Sequence, residues 1–219
     1  LLAVCAILLF AFLSIKGVKF AGTFQVVLTI ALVLGVAIVG VAALVSPKAT
    51  ITNLTPAYYP GSSKFSGVLA VLAVAPWAFV GFDTVPQSAE EFKFSPTKTR
   101  IIMIISILFG GAVYVILNTV TAAVVPSGYA NWAEYIDDLS NLSGLESLPT
   151  FNAAHELLGT FGIVFLGVAV LAAILSGIIG FYMATSRLLY SMAQEKVIPE
   201  WFGKLHKEYK TVMNAILFH

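Results

Sequence analysis

The sequence predicts an all-α integral membrane protein with one discontinuous helix, and three observations predict it. Residues 20–45 and 101–133 carry no charged side chain, and each window exceeds the roughly 20 apolar residues needed to cross a hydrocarbon core of about 30 Å. A further apolar segment, 66–92, is interrupted by Pro76, Gly81, Asp83 and Pro86, residues that a continuous membrane helix does not favour. Basic residues also gather in alternate connections, the pattern of a chain that crosses a bilayer repeatedly.

Composition agrees. Of 219 residues 59% are hydrophobic and 11% charged, and the mean hydropathy is +0.94, which excludes an ordinary soluble domain. A net charge of +1, with no basic run interleaved with aromatics, gives no footing for nucleic acid. The lone Cys5 has no internal disulfide partner, so redox compartment stays open. The chain opens LLAVCAILL and closes NAILFH. Read alone, this suggests an internal piece of a larger membrane protein, in a single transmembrane domain.

Five spans and the start of a sixth are expected: 1–15, 20–45, 66–92, 100–125, 160–193 and 213–219. Lys16 and Lys19, then Lys93, Lys98 and Arg100, then Lys196, Lys204, Lys207 and Lys210 fall on one side if every span crosses. The loop 126–159 on the other side has no lysine or arginine and holds Glu134, Asp137, Asp138, Glu146 and Glu156. The positive-inside rule then places the basic connections in the cytoplasm, and the plasma membrane is the expected location. Asn131 and Asn152 stand where helix caps are expected in the outer loop, which reads as a solvated connector, a lid or plug being the alternative. Asn53 and Asn141 fit the glycosylation acceptor pattern.

Residues 76–91, PWAFVGFDTVPQSAEE, place a stop signal beside a start signal. Pro76 removes a donor and frees the carbonyl near Leu72, and Gly81 suits a left-handed helix end. Thr84 and Gln87 fit a capping box, with Pro86 in the first turn of the next half-helix. The first half-helix should end in bare carbonyls from about Trp77 to Val80, the second should begin in bare N–H groups, and a zwitterion or cation can use both. Asp83, the acid well inside a span, either faces a cavity or caps the second half-helix, and the two readings are compatible. Trp77, Phe79 and Phe82 are pocket walls or ordinary packing.

Ser176, Gly177 and Gly180 in the fifth span permit close helix contact, with cavity lining as the lesser reading. Glu90 and Glu91 read as solvated or paired with nearby basic residues. His155, His206 and His219 lack ligand spacing to carboxylates or Cys5, so no metal is expected. No Ser–His–Asp order, phosphate loop or catalytic carboxylate pair is evident, and no enzyme activity is expected.

PWAFVGFDTVPQSAEE resembles the sixth helix of the amino acid–polyamine–organocation (APC) superfamily permeases. GVKFAGTFQVVLTI resembles the start of their fifth helix, and SRLLYSMAQEKVIPEWFGKLHKEYKTVMNAI the end of the eighth through the start of the ninth. The resemblance implies the inverted-repeat (LeuT-like) transporter fold from the fourth helix to the beginning of the ninth. It implies Trp77 as gate or wall, Phe79, Val80 and Gly81 as backbone ligands, Asp83 at the family's acidic position and Phe181 in the pocket. Many proton-coupled members carry a lysine seven residues after the fifth-helix glutamine, and here that count from Gln25 reaches Leu32. H+ or Na+ is the expected coupling ion, with Asp83 and Ser176 as candidate coupling residues and no other cofactor. The expected function is secondary transport of amino acids or related amines by alternating access, with small-molecule substrate and membrane lipid as partners. A non-transporting sensor or scaffold of the same fold is the alternative.

Overall fold

The computed structural model describes residues 18–61, 63–81, 95–206 and 211–218, and among them all regular structure is helical. The order is α1 (Val18–Val45), α2 (Lys64–Ala78), α3 (Pro96–Ala123), α4 (Trp132–Asp137), α5 (Pro149–Leu158), α6 (Thr160–Gln194) and α7 (Met213–Phe218), with short 3-10 turns between. The expected span 1–15 and residues 82–92 lie outside the described residues. Helices α1 and α3 have 28 residues each and α6 has 35, or about 42 and 52 Å at 1.5 Å per residue. These three are long and apolar enough to cross a membrane. Helix α2 is not. Its 15 residues reach only about 22 Å, short of the hydrocarbon thickness.

Local chemistry sets the helix ends. The Ser63 hydroxyl accepts the Ser66 N–H and starts α2. Asn131 caps α4, its side chain accepting from the Ala133 and Glu134 N–H groups. Helix α6 ends on Lys196, which takes φ 60°. There the Val197 N–H donates to Met192 O at 2.9 Å and the Lys196 N–H to Ala193 O at 3.1 Å, the paired bonds of a Schellman motif.

The described residues fall into two compact units. One takes the residues up to Ile30, those from Gly81 to Ile105 and those from Leu171 onward. Its core is Ile179, Tyr182 and Ile216, packed by Phe24, Leu28, Leu175, Ile178 and Met183. Close by in sequence, Trp201, Phe202 and Phe218 stack edge to face in series, and the Asn214 amide donates to Trp201 O.

The second unit takes Ala31–Val80 and Ser106–Val170. Val39 of α1, Val120 of α3, Ala154 of α5 and Leu166 of α6 meet at its centre. Helices α5 and α6 join at a tight corner: a Cβ on Gly162 would lie 2.1 Å from the Ala154 carbonyl oxygen, a separation only glycine allows.

The loop 126–159 of this unit, its outer cap, is pinned at its centre, while residues 127–128, 136–137 and 143–146 stay exposed. Tyr135 is 1% exposed, and its hydroxyl donates to Glu146 O. The Trp132 indole N–H donates to Pro56 O at 2.8 Å, Tyr59 bonds Asp137, and Lys48 pairs with Glu156 at 2.9 Å. The connection after α1 is therefore stitched to the connection after α3. The physical reason is the run of aromatics in 129–135, which bury apolar area that a polar-looking loop conceals. Asn152 is not a cap: α5 begins three residues earlier, at Pro149, and the asparagine is 4% exposed with its amide nitrogen unpartnered. The Asn53 amide nitrogen is already committed to the Ala123 carbonyl at 2.8 Å, so that site is occupied internally.

Two outcomes follow from this packing. Gly162→Ala forces α5 from α6 and should cost about 1–3 kcal/mol, read as a lower thermal unfolding midpoint in detergent; an unchanged midpoint refutes the close contact. In the cap, the Tyr129 hydroxyl donates to Asp138, and that bond pushes the tyrosine from 10.0 up to about 12. The same bond, with one from Asn141, holds the Asp138 carboxyl below its ordinary 3.8. The stabilisation is thus whole between the ordinary values. It is lost as pH falls through the lowered Asp138 value or climbs through about 12 for Tyr129. Asp138→Ala should return Tyr129 toward 10 in a tyrosinate absorbance titration, with Tyr129→Phe in the same background identifying the signal.

Candidate functional site

The site is built where α2 stops. Pro76 sits inside α2, and the helix runs on for two residues before ending at Ala78. The break then tightens. The Phe79 N–H donates to Pro76 O at 3.1 Å and the Val80 N–H to Trp77 O at 3.4 Å, turn bonds one residue shorter than α-helical ones. Phe79 takes φ −110° and ψ 13°, and Gly81 takes φ +112°. A Cβ at Gly81 would meet nothing within 4 Å, so glycine is required there by backbone conformation and not by crowding.

The expectation of bare carbonyls from Trp77 to Val80 is corrected in two places. Trp77 O is taken by the Val80 N–H. Ala78 O accepts the hydroxyl of Tyr114, on α3, at 2.7 Å. The Tyr114 ring also meets Phe79 edge to face, with centroids 5.7 Å apart at 77°, and a Cβ on Gly111 of the same helix would touch the Phe79 ring at 3.9 Å. Phe79 is thus held from one side by α3, while Trp77 is 82% exposed and Val80 60% exposed. Irregular backbone at membrane depth needs such a partner, because an unsatisfied carbonyl in hydrocarbon costs several kcal/mol.

Tyr114 is the residue that sequence reasoning missed. Its signal was a hydroxyl in the middle of an uncharged span, four residues before Asn118, and such groups in lipid find a partner. In the other unit, Phe181 stands on α6 and is 54% exposed, and Ser176 is half-buried one turn earlier. The Gln25 amide nitrogen lies 4.0 Å from where a Gly180 Cβ would be, so a polar side chain of α1 faces the glycine turn of α6 in that unit. Phe82 and Asp83 lie outside the described residues. Among the described residues no three His, Cys, Asp or Glu side chains gather as metal ligands would.

With this geometry in place, comparison with known proteins is direct. The family described as amino acid permease matches residues 1–219. A protein named as an uncharacterized transporter of Rhizobium meliloti (strain 1021) is 28% identical over 219 residues, covering 98% of this chain and 44% of its own length. The branched-chain amino acid permease of Lactococcus lactis subsp. cremoris is 29% identical over 213 residues, covering 94% of this chain and 42% of its own. The methylthioribose transporter of Bacillus subtilis is 27% identical over 213 residues, covering 95% and 41%. The chain spans less than half the length of these curated relatives. The family is one of permeases and not of enzymes. Three membrane-length apolar helices and a match along the whole chain converge on one statement: this chain belongs to the amino acid permease family, as part of an all-helical, multi-pass integral protein of the plasma membrane.

Proposed function

We propose that the full-length protein is a secondary transporter of amino acids or related small amines, working by alternating access, with the break after α2 as the element that holds substrate. The observation carrying this reading is the stop at Ala78 followed by Gly81 at φ +112°, in a segment whose apolar composition would otherwise run on. Such a break presents peptide dipoles to a solute without a charged side chain. Phe79 and Val80 supply the turn, Gly81 the reversal, and Trp77 a wall. Phe82 and Asp83, next in sequence, are assigned to the same site by the resemblance alone. The resemblance to the APC permeases also assigns Phe181 of α6 to substrate binding, and Ser176 and Asp83 are the groups suited to a coupling ion, H+ or Na+. The name of one relative supports the substrate class, a branched-chain amino acid permease.

The direct test is uptake of radiolabelled amino acids into proteoliposomes holding the full-length protein, under imposed proton and sodium gradients. Saturable binding with no flux under any gradient would refute transport. Gly81→Ala places a Cβ on a left-handed backbone, at about 1–3 kcal/mol of local strain, and Gly81→Leu adds bulk. Uptake should fall about tenfold or more in Gly81→Ala and vanish in Gly81→Leu, with membrane insertion unchanged; wild-type uptake in either variant removes the break from the site. Tyr114→Phe leaves the Ala78 carbonyl without its donor, at about 1–3 kcal/mol. The expected result is a lower thermal midpoint together with weaker substrate affinity, and an unchanged affinity separates the hydroxyl from the site.

A further inference from the structure

A cavity lies in the Ala31–Val80 and Ser106–Val170 unit, between the C-terminal part of α3 and α4, well removed in sequence from the break. It has a volume of about 350 Å³ and is lined by Asn118, Thr121, Ala122, Trp132, Tyr135 and Ile136. That volume is at the small end of the range for ligand sites, roughly 300–1,000 Å³.

The chemistry of this lining is one-sided. The Trp132 indole N–H is spent on Pro56 O, the Tyr135 hydroxyl proton on Glu146 O, and the Thr121 hydroxyl proton on Thr150 Oγ1 at 3.3 Å. The Asn118 amide gives one proton to Tyr114 O at 2.9 Å. What these residues retain for a ligand is mainly oxygen lone pairs and the partly exposed Trp132 ring, Tyr135 being buried. The surrounding cap adds to the same sign, since residues 126–159 hold five carboxylates and no lysine or arginine. The Lys48–Glu156 pair offsets one of them. A pocket with an indole wall, unfilled acceptors and a negative field favours a cation with apolar substituents over an anion or a neutral solute. Ala122 and Ile136 provide the apolar contact that alkyl groups on nitrogen require.

We propose that this cavity binds the ammonium group of a small organic cation on the outer face of the protein. Binding itself does not depend on transport; its role as a station for amine cargo ahead of the break rests on the transport reading above.

The probe is radiolabelled choline, with 3,3-dimethylbutan-1-ol as its neutral isostere, on the full-length protein in nanodiscs. Choline should bind saturably, and the isostere should compete at least about tenfold more weakly, the scale of a desolvated cation–aromatic contact. Trp132→Leu and Asn118→Leu should each weaken choline by roughly tenfold. Trp132→Phe, which keeps a ring and drops the bond to Pro56, should stay within about threefold. Gly81→Leu should leave choline binding intact. Absence of saturable binding, equal competition by the isostere, equal loss in Trp132→Leu and Trp132→Phe, or loss in Gly81→Leu each overturns the proposal. Intact choline binding without amino acid flux refutes transport and leaves the cavity; flux without choline binding does the reverse.

Discussion

A carbonyl oxygen in hydrocarbon must find a donor, and the described structure around α2 is organised by that demand. Where the helix ends at Ala78, the chain closes two short turn bonds and borrows the Tyr114 hydroxyl for a third. The ring that carries the hydroxyl then packs against Phe79, so one residue both satisfies the broken backbone and braces the side chain beside it. A Cβ on Gly111 would meet the Phe79 ring at an ordinary contact distance of 3.9 Å and one on Gly110 would meet nothing, so the approach of the ring rests on the Tyr114 contact and not on these glycines. The discontinuity is therefore a shared product of two helices, not a local defect of one.

The outer cap obeys the same rule with water nearby. Its polar groups are consumed in tying the connection after α1 to the one after α3: Asn53 to Ala123 O, Trp132 to Pro56 O, Tyr59 to Asp137, Lys48 to Glu156. The exposed ion pair contributes little alone. The buried Tyr135 and the neighbouring Ala133 contribute more, because their area leaves water altogether. The five carboxylates of residues 126–159, one of them paired with Lys48, give this face a field that cations meet first.

Much of the fold was legible because hydropathy and helix length are one-dimensional properties. The windows 20–45 and 100–125 and the run 160–193 needed only counting, and α1, α3 and α6 occupy them with ends displaced by a few residues. The stop at the Pro76–Gly81 stretch was legible for a different reason: proline and glycine act on their own backbone, wherever the chain goes next. Tyr114 was not legible as a partner of Ala78, since the pairing spans 36 residues and depends on how α3 packs. Asn152 misled for the opposite reason. Its residue type suits a cap, but Pro149 already opens α5 and tertiary burial claims the asparagine. The pinned centre of loop 126–159 was not legible because its five carboxylates outnumber the three aromatics, Tyr129, Trp132 and Tyr135, that hold it.

The shortness of α2 makes it a depth gauge. Its start is pinned by the Ser63 side chain and its end by Pro76 and the Phe79 turn, so residue count alone sets how deep the reversal sits. Adding or removing a single residue between those points would move the reversal by about 1.5 Å and swing it by about 100° around the helix axis. Phe79 would then turn away from Tyr114, and the Ala78 oxygen would lose its donor. Side chains along α2 can change without moving the reversal, but the number of residues between its two ends cannot.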